Sequence, residues 1–316
     1  MSTKPSDLAG LVLLSAIWGA SFLFMRVAAP DFGPVPLILV RVSVAGACLT
    51  PLLLSSGNRD ALCRAKWRVA AVGVVNSAIP FSLLAYATLS LEAGFVALLN
   101  ATTPIFAAII GVVWLRTSLR RSQLAGMAIG FLGVAVVAWG RLSFKEGGAG
   151  WAILAVLLAS SCYGLTANYV KTHMSDVSAP VVSVGSLLGA TAVLIPIGLW
   201  RWPTESVPAG SWAAAGGLAV VCTSFAYLIY FRIIARAGAT AATSVTFLIP
   251  IFAALWGALF LDEAVTFAIV AGMALTLAGT ALTAGVLPLR GVQRVPDGNA
   301  TRPVMQAETP EEAPEP

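Results

Sequence analysis

Apolar runs of about 20 residues alternate with short polar or Pro/Gly-rich breaks along nearly the whole chain. A helix needs about 20 apolar residues to cross the hydrocarbon core of a bilayer, so the pattern predicts ten spanning helices. They cover 8–29, 34–56, 68–90, 92–115 and 122–140, then 151–170, 178–200, 212–235, 240–262 and 265–287. The breaks at 30–34, 57–66, 144–150 and 202–210 carry turn formers and charges, and connections this short make neighbouring helices antiparallel. The third and fourth runs nearly merge, parted only around Ser90, Leu91 and Glu92. The first run imitates a secretory signal, with Lys4 before it and a weak cleavage pattern at Val27, Ala28 and Ala29. It is long for such a signal and more spans follow at once, so it reads as an uncleaved first span. From 288 the chain turns rich in Pro, Glu and small polar residues. Such a segment cannot bury enough surface to fold, and 288–316 is expected to be a disordered tail.

The chain also lies over itself when shifted by 146 residues. The segment beginning at Pro104 matches the one beginning at Pro250 without a gap: Phe106 falls on Phe252, Gly111 on Gly257, Leu115 on Leu261, Gly126 on Gly272 and Gly133 on Gly279. Five spans per half is an odd number, so the halves must be inverted relative to one another. Inverted halves meeting at the bilayer centre are a hallmark of secondary transporters. The predicted fold is therefore an all-α membrane protein of ten transmembrane helices in two inverted repeats, 1–143 and 150–287.

Composition agrees. Hydrophobic residues make up 58% of the 316 and charged ones 10%, far from the roughly 25% charged content of a soluble domain. A cytoplasmic N-terminus places fourteen of the 19 Lys and Arg residues on the cytoplasmic side: Lys4, Arg59, Arg64, Lys66, Arg68, Arg116, Arg120, Arg121, Lys171, Arg232, Arg236, Arg290, Arg294 and Arg302. Only Arg26, Arg141, Lys145 and Arg201 fall outside, with Arg41 inside a span. This satisfies the positive-inside rule and puts both termini in the cytoplasm of a multi-pass cell (inner) membrane protein. There the sequon at Asn299 has no use. Matched loops carry opposite charge, Arg116 to Arg121 inside against Asp262 and Glu263 outside. No basic patch interleaves with aromatics, so nucleic acid is not a partner. Cys48, Cys162 and Cys222 lie in apolar runs and Cys63 in a basic loop, without CxxC spacing; no disulfide framework, metal site or cofactor is implied.

Arg41 is the one formal charge deep in a span, about 10 Å below the outer end of its helix. Intramembrane charge is costly, so Arg41 should face a cavity or a partner. It is either a counter-charge for a substrate carboxylate or a structural arginine bonded to backbone carbonyls. Trp18 and Tyr163 coincide at an offset of 145 and are candidates to line a central site, as are Asn76, Asn100, Asn168, Tyr227 and Tyr230, the strongest polar side chains within spans. Pro104 and Pro250 break backbone bonding at equivalent places and predict kinks that shape the cavity. No Asp or Glu lies near the midplane, so a deep carboxylate proton relay is absent. Glu263 is a candidate proton or cation site at the surface. The GxxxG spacings Gly126/Gly130 and Gly185/Gly189 predict close internal helix contacts.

Cys222–Thr266, CTSFAYLIYFRIIARAGATAATSVTFLIPIFAALWGALFLDEAVT, closely resembles the most characteristic stretch of the EamA branch of the drug/metabolite transporter superfamily. SAIWGASFLFMRVA resembles that family's opening Trp-Gly helix, and PLILVRVSVAG its second helix with an embedded arginine. The resemblance covers the chain up to the tail. It implies a permease that exports or exchanges small metabolites, amino acids among them, through a central cavity. A proton is a candidate coupling ion, and proton antiport, exchange and facilitated diffusion all stay open. The sequence departs from the family pattern at Thr117, where an acidic residue is usual; Glu263 keeps the acid in the second half. The rival readings are an integral-membrane enzyme, such as a lipid-modifying transferase, and a membrane sensor or scaffold. The first needs clustered catalytic groups that one histidine and no clustered in-span carboxylates do not supply; the second lacks a soluble signalling domain.

Overall fold

The computed structural model describes residues 5–139, 141–145, 149–238, 242 and 244–286. The expected tail at 288–316 and its sequon lie outside the described residues. Ten helical spans follow in order: α1 Pro5–Phe32, α2 Pro34–Leu53, α3 Ser56–Ala87, α4 Ala93–Leu115, α5 Arg121–Ala138, α6 Gly150–His173, α7 Ala179–Trp200, α8 Ala209–Arg236, α9 Val245–Leu261 and α10 Phe267–Thr283. The first eight are long and apolar enough to cross a membrane; α9 and α10 are apolar but shorter. Large apolar side chains are exposed around the perimeter, among them Val113, Leu132, Leu199, Phe260 and Phe267. Trp139, Trp151 and Trp200 are exposed near the span ends, where an aromatic belt meets the headgroups.

Two of the breaks differ from the hydropathy reading. The stretch 57–66 is not a connection: α3 begins at Ser56. Leu62, Ala65, Val69 and Val72 recur at helical spacing and pack inward, while Arg59, Arg64 and Lys66 point to solvent. A helix that leaves the apolar layer keeps its 3.6-residue period but loses its hydropathy. Likewise α1 runs through Pro30 to Phe32, so the predicted break at 30–34 shrinks to Gly33, whose φ of 76° turns the chain into α2. The break at Ser90–Glu92 is present as a turn between α3 and α4.

The inverted repeat is visible in contacts between the halves. Ser15 on α1 donates to the Val245 carbonyl of α9 (3.3 Å), and Ser160 on α6 donates to the Leu99 carbonyl of α4 (3.4 Å). Offsets of 145 and 146 exchange these two bonds. The same offsets exchange two close approaches. A methyl group on Gly19 would meet Phe252 and the Ala253 nitrogen at 2.7 and 2.9 Å, and one on Gly164 the Ala107 nitrogen and Phe106 at 2.6 and 2.9 Å. Each half's first helix thus lies against the other half's fourth. The fifth helices pack on each other around the pseudo-axis. There Gly126 and Gly133 of α5 face Gly279 and Gly272 of α10, with the nearest backbone oxygens only 2.6 and 2.7 Å from an added methyl. Gly185 and Gly189 of α7 likewise admit Val69 and Ala70 of α3. Both GxxxG pairs therefore serve contacts inside the molecule.

The face that carries the start of α1 is called the N-terminal face. Ion pairs Arg236–Asp7 and Arg68–Asp176 lie on it, and Arg26–Glu263 and Arg141–Glu92 lie on the opposite face.

Candidate functional site

Polar side chains are costly against lipid, and the spans turn theirs inward, where they meet midway between the halves. A cavity of about 380 Å³ opens there, walled by α1–α4 and α6–α9. Trp18, Arg41, Asn76, Asn100, Pro104, Tyr163, Tyr227 and Tyr230 all line it. Asn168 and Pro250 do not. The Asn168 amide donates to the Ala107 and Gly164 carbonyls, at 2.9 and 3.0 Å, and ties α6 to α4. Pro250 is buried within α9, and its neighbour Ile249 faces the cavity instead. Pro104 opens a new helical segment after a turn at Ala101 and Thr102, whereas α9 stays one helix through Pro250. The two prolines occupy equivalent positions but shape their helices differently. A larger groove of about 650 Å³ between α2, α3 and α7 is peripheral, its walls of Ile79, Tyr86, Val193 and Trp200 facing outward to lipid.

Arg41 dominates the chemistry. It is 5% exposed and projects from α2 across to the other half. Its Nε donates to Thr223 Oγ1 of α8 at 3.0 Å, and its guanidinium lies 3.8 Å from the centroid of the Phe81 ring. The ion pairs among the described residues do not include it. Five N–H donors on a planar fork therefore leave capacity for an anion entering the cavity. On α4, the Asn100 amide oxygen is buried without a hydrogen-bond partner. Aromatic faces complete the walls: Trp18 and Tyr230 with centroids 5.4 Å apart, Phe81 and Tyr163 at 6.5 Å.

Two wider helical turns frame the site. Residues Val74–Ala78 of α3 and Gly217–Phe225 of α8 are π-helical, and an offset of 145 carries the first into the second. Thr223 and Ser224 confirm the geometry, their hydroxyls donating five residues back to the Leu218 and Ala219 carbonyls. Such turns are rare and concentrate at functional sites. Here they bring Asn76 and Thr223 to the cavity. Hydropathy carries no signal for an i→i−5 bond, so neither Thr223 nor Phe81 was legible as an arginine partner.

The cavity continues toward the N-terminal face through a chamber of about 210 Å³ that shares Asn76, Tyr163, Ser183 and Tyr227 with it. Charged residues lie beyond it toward the opposite face and do not line it. Glu263 accepts from the Ala93 N–H at 2.9 and 3.1 Å and lies 3.5 Å from Arg26; Glu92 pairs with Arg141 at 2.5 Å. Burial holds the Glu263 carboxyl above the usual carboxylate range, outweighing the Ala93 N–H and Arg26, which favour its charged form. His173 stacks on Tyr169 and Trp114 at the C-terminal end of α6, on the N-terminal face and away from the cavity.

The sequence profile of the EamA-like transporter family matches residues 7–139 and again 150–285. The "uncharacterized transporter YvbV" of Bacillus subtilis is 25% identical over 86% of this chain and 89% of its own length. The "probable terminal-alkyne amino-acid exporter" of Streptantibioticus cattleyicolor is 23% identical over 86% and 91%. The "uncharacterized inner membrane transporter YedA" of Escherichia coli K12 is 24% identical over 78% and 80%. One solved crystal structure superposes with a TM-score of 0.63 at 18% identity, covering 90% of this chain and 98% of that one; it shows a shared fold. With both halves matched and ten apolar helices in inverted repeats, the chain belongs to the EamA-like transporter family and is a multi-pass membrane transporter.

Proposed function

We propose that the protein is a secondary transporter of the cell membrane, both termini cytoplasmic, that exports or exchanges small carboxylated metabolites, amino acids or related compounds, by alternating access and without catalysis. The two halves are 1–143 and 150–287. The observation that carries this reading is Arg41, a buried guanidinium with no carboxylate partner among the described residues, facing a cavity between inverted halves. In a low-dielectric cavity its attraction for a carboxylate is less screened than in water. The Asn100 amide oxygen supplies an acceptor for an ammonium group, and the faces of Trp18 and Tyr230 suit a cation or an apolar side chain. The amino-acid exporter among the relatives supports the same substrate class. A cavity of about 380 Å³ lies in the range of small-ligand pockets.

Reconstitution into proteoliposomes, with flux measured against a panel of amino acids and related carboxylates with and without a pH gradient, tests the reading. Saturable exchange of one carboxylated class is expected, and acceleration by the gradient would add proton coupling. Flux of none of them, together with a detectable reaction on lipid, would favour a membrane enzyme.

A further inference from the structure

The loop after α9 is built to put one side chain in one place. Asp262 adopts a left-handed conformation, φ 52°, which folds the chain back so that the Glu263 N–H donates to the Gly257 carbonyl at 3.2 Å. Gly257 has no side chain where the Glu263 carboxylate lies, and a Cβ there would collide with Oε2. The same backbone recurs in the first half: Arg116 has φ 54°, and the Thr117 N–H donates to the Gly111 carbonyl at 3.2 Å. The fold is repeated but the acid is not. In the second half the carboxylate crosses to the first half and caps the N-terminus of α4, accepting from Ala93 N–H with both oxygens. Beside it Gly94 brings α4 onto α9, with Ala254 only 2.8 Å from an added methyl. Arg26 of α1 approaches from one side and the Glu92–Arg141 pair from the other.

We propose that Glu263 is a gating residue for transport: its side chain straps α4 of the first half to the second half and seals the cavity from the opposite face. The inference rests on the alternating-access reading and adds the residue that holds one gate shut. Since α4 carries Asn100 and Pro104 into the cavity, releasing its outer end would open that wall to the face beyond it. The strap works by reach. A carboxylate, a neutral carboxyl and a carboxamide each present an oxygen to the Ala93 N–H at this distance, whereas a side chain one methylene shorter does not. The Thr117 loop lacks the carboxylate, which gives the two faces unlike closures.

The test uses Cys222, a buried free thiol on the cavity wall, in full-length protein with Cys48, Cys63 and Cys162 replaced by Ser. Its rate of reaction with a membrane-impermeant maleimide is measured from each face, in intact cells and in inverted vesicles. Glu263→Asp should raise the rate from the opposite face about tenfold, as expected when a strong hydrogen bond is lost, with no rise from the N-terminal face. Glu263→Gln should label no faster than wild type. Equal rates in Glu263→Asp and wild type would overturn the proposal. So would opening by Glu263→Gln, which would make the seal one of charge rather than reach. A second measurement does not depend on the Asp variant folding. Gly257→Ala leaves Glu263 unchanged but puts a methyl where its carboxylate lies, displacing it from the Ala93 N–H, and should raise Cys222 labelling from the opposite face as Glu263→Asp does. Labelling unchanged by Gly257→Ala would place the gate elsewhere and end the proposal. None of these rates requires a substrate, so a failed flux assay would not touch the gate, and a failed gate test would leave the flux result standing.

Discussion

Thr223 shows how a single hydroxyl ties the site together, since it donates to the π turn of α8 and accepts from Arg41 of α2. Thr223→Val should loosen the guanidinium and raise the KM for a carboxylated substrate roughly fivefold, the effect of about 1 kcal/mol for one hydrogen bond. Thr223→Ser should stay near wild type, and equal losses in both would remove the orienting role. Glu263 gives a prediction in pH. Its carboxyl is held above the ordinary range in the sealed state by burial and returns toward it when the seam opens to water, so proton binding favours the sealed state. As the pH on that face falls through the raised value, Cys222 labelling of wild type should decline relative to Glu263→Gln. Arg26 and the Glu92–Arg141 pair flank this carboxyl, and the decline should persist in a Glu92→Gln background. A ratio that rises on acidification contradicts the account. At this scale the sequence was a partial guide. Arg41, Trp18, Tyr163, Asn76, Asn100, Tyr227 and Tyr230 stood out because polar or amphipathic groups in apolar spans have few places to go, and all line the cavity. Asn168 stood out for the same reason but satisfies backbone carbonyls instead, and composition does not separate the two uses.

Helices were legible where hydropathy and span coincide and blurred where they part. The charged first turns of α3 were hidden because hydropathy reports the lipid layer, while helix period continues beyond it. The π turns in α3 and α8 were hidden because no residue type demands them. The paired glycines, by contrast, carried their meaning in the repeat: Gly19 with Gly164, and Gly126 and Gly133 with Gly272 and Gly279, coincide because helix axes cross at those points in both halves. Gly164→Val should force α6 off α4, where a first added carbon already meets the Ala107 nitrogen at 2.6 Å. Overpacking of this kind costs about 1–3 kcal/mol and should lower the yield of folded protein in a detergent-stability assay. Gly210→Ala, with nothing within 4 Å of the added methyl, should not. Equal yields for the two would mean the α4–α6 contact is not tight.

The whole molecule is two inverted halves that hold a polar cavity in an apolar shell. Charge placement predicts its orientation: Cys63, exposed at the N-terminal face, should resist an impermeant thiol reagent in intact cells, while a cysteine replacing the exposed Glu205 between α7 and α8 should react. The reverse pattern would invert the topology. The central claim is that a carboxylated substrate crosses between the halves against Arg41. Its most direct test is exchange flux in proteoliposomes carrying wild type or Arg41→Gln, normalised to folded protein. Removing one buried counter-charge should lower flux at subsaturating substrate by about tenfold to a hundredfold, in keeping with a charged hydrogen bond of about 1.5–3 kcal/mol, while folded yield stays near wild type. Flux that falls only in parallel with folded yield would make Arg41 a structural residue and contradict the account.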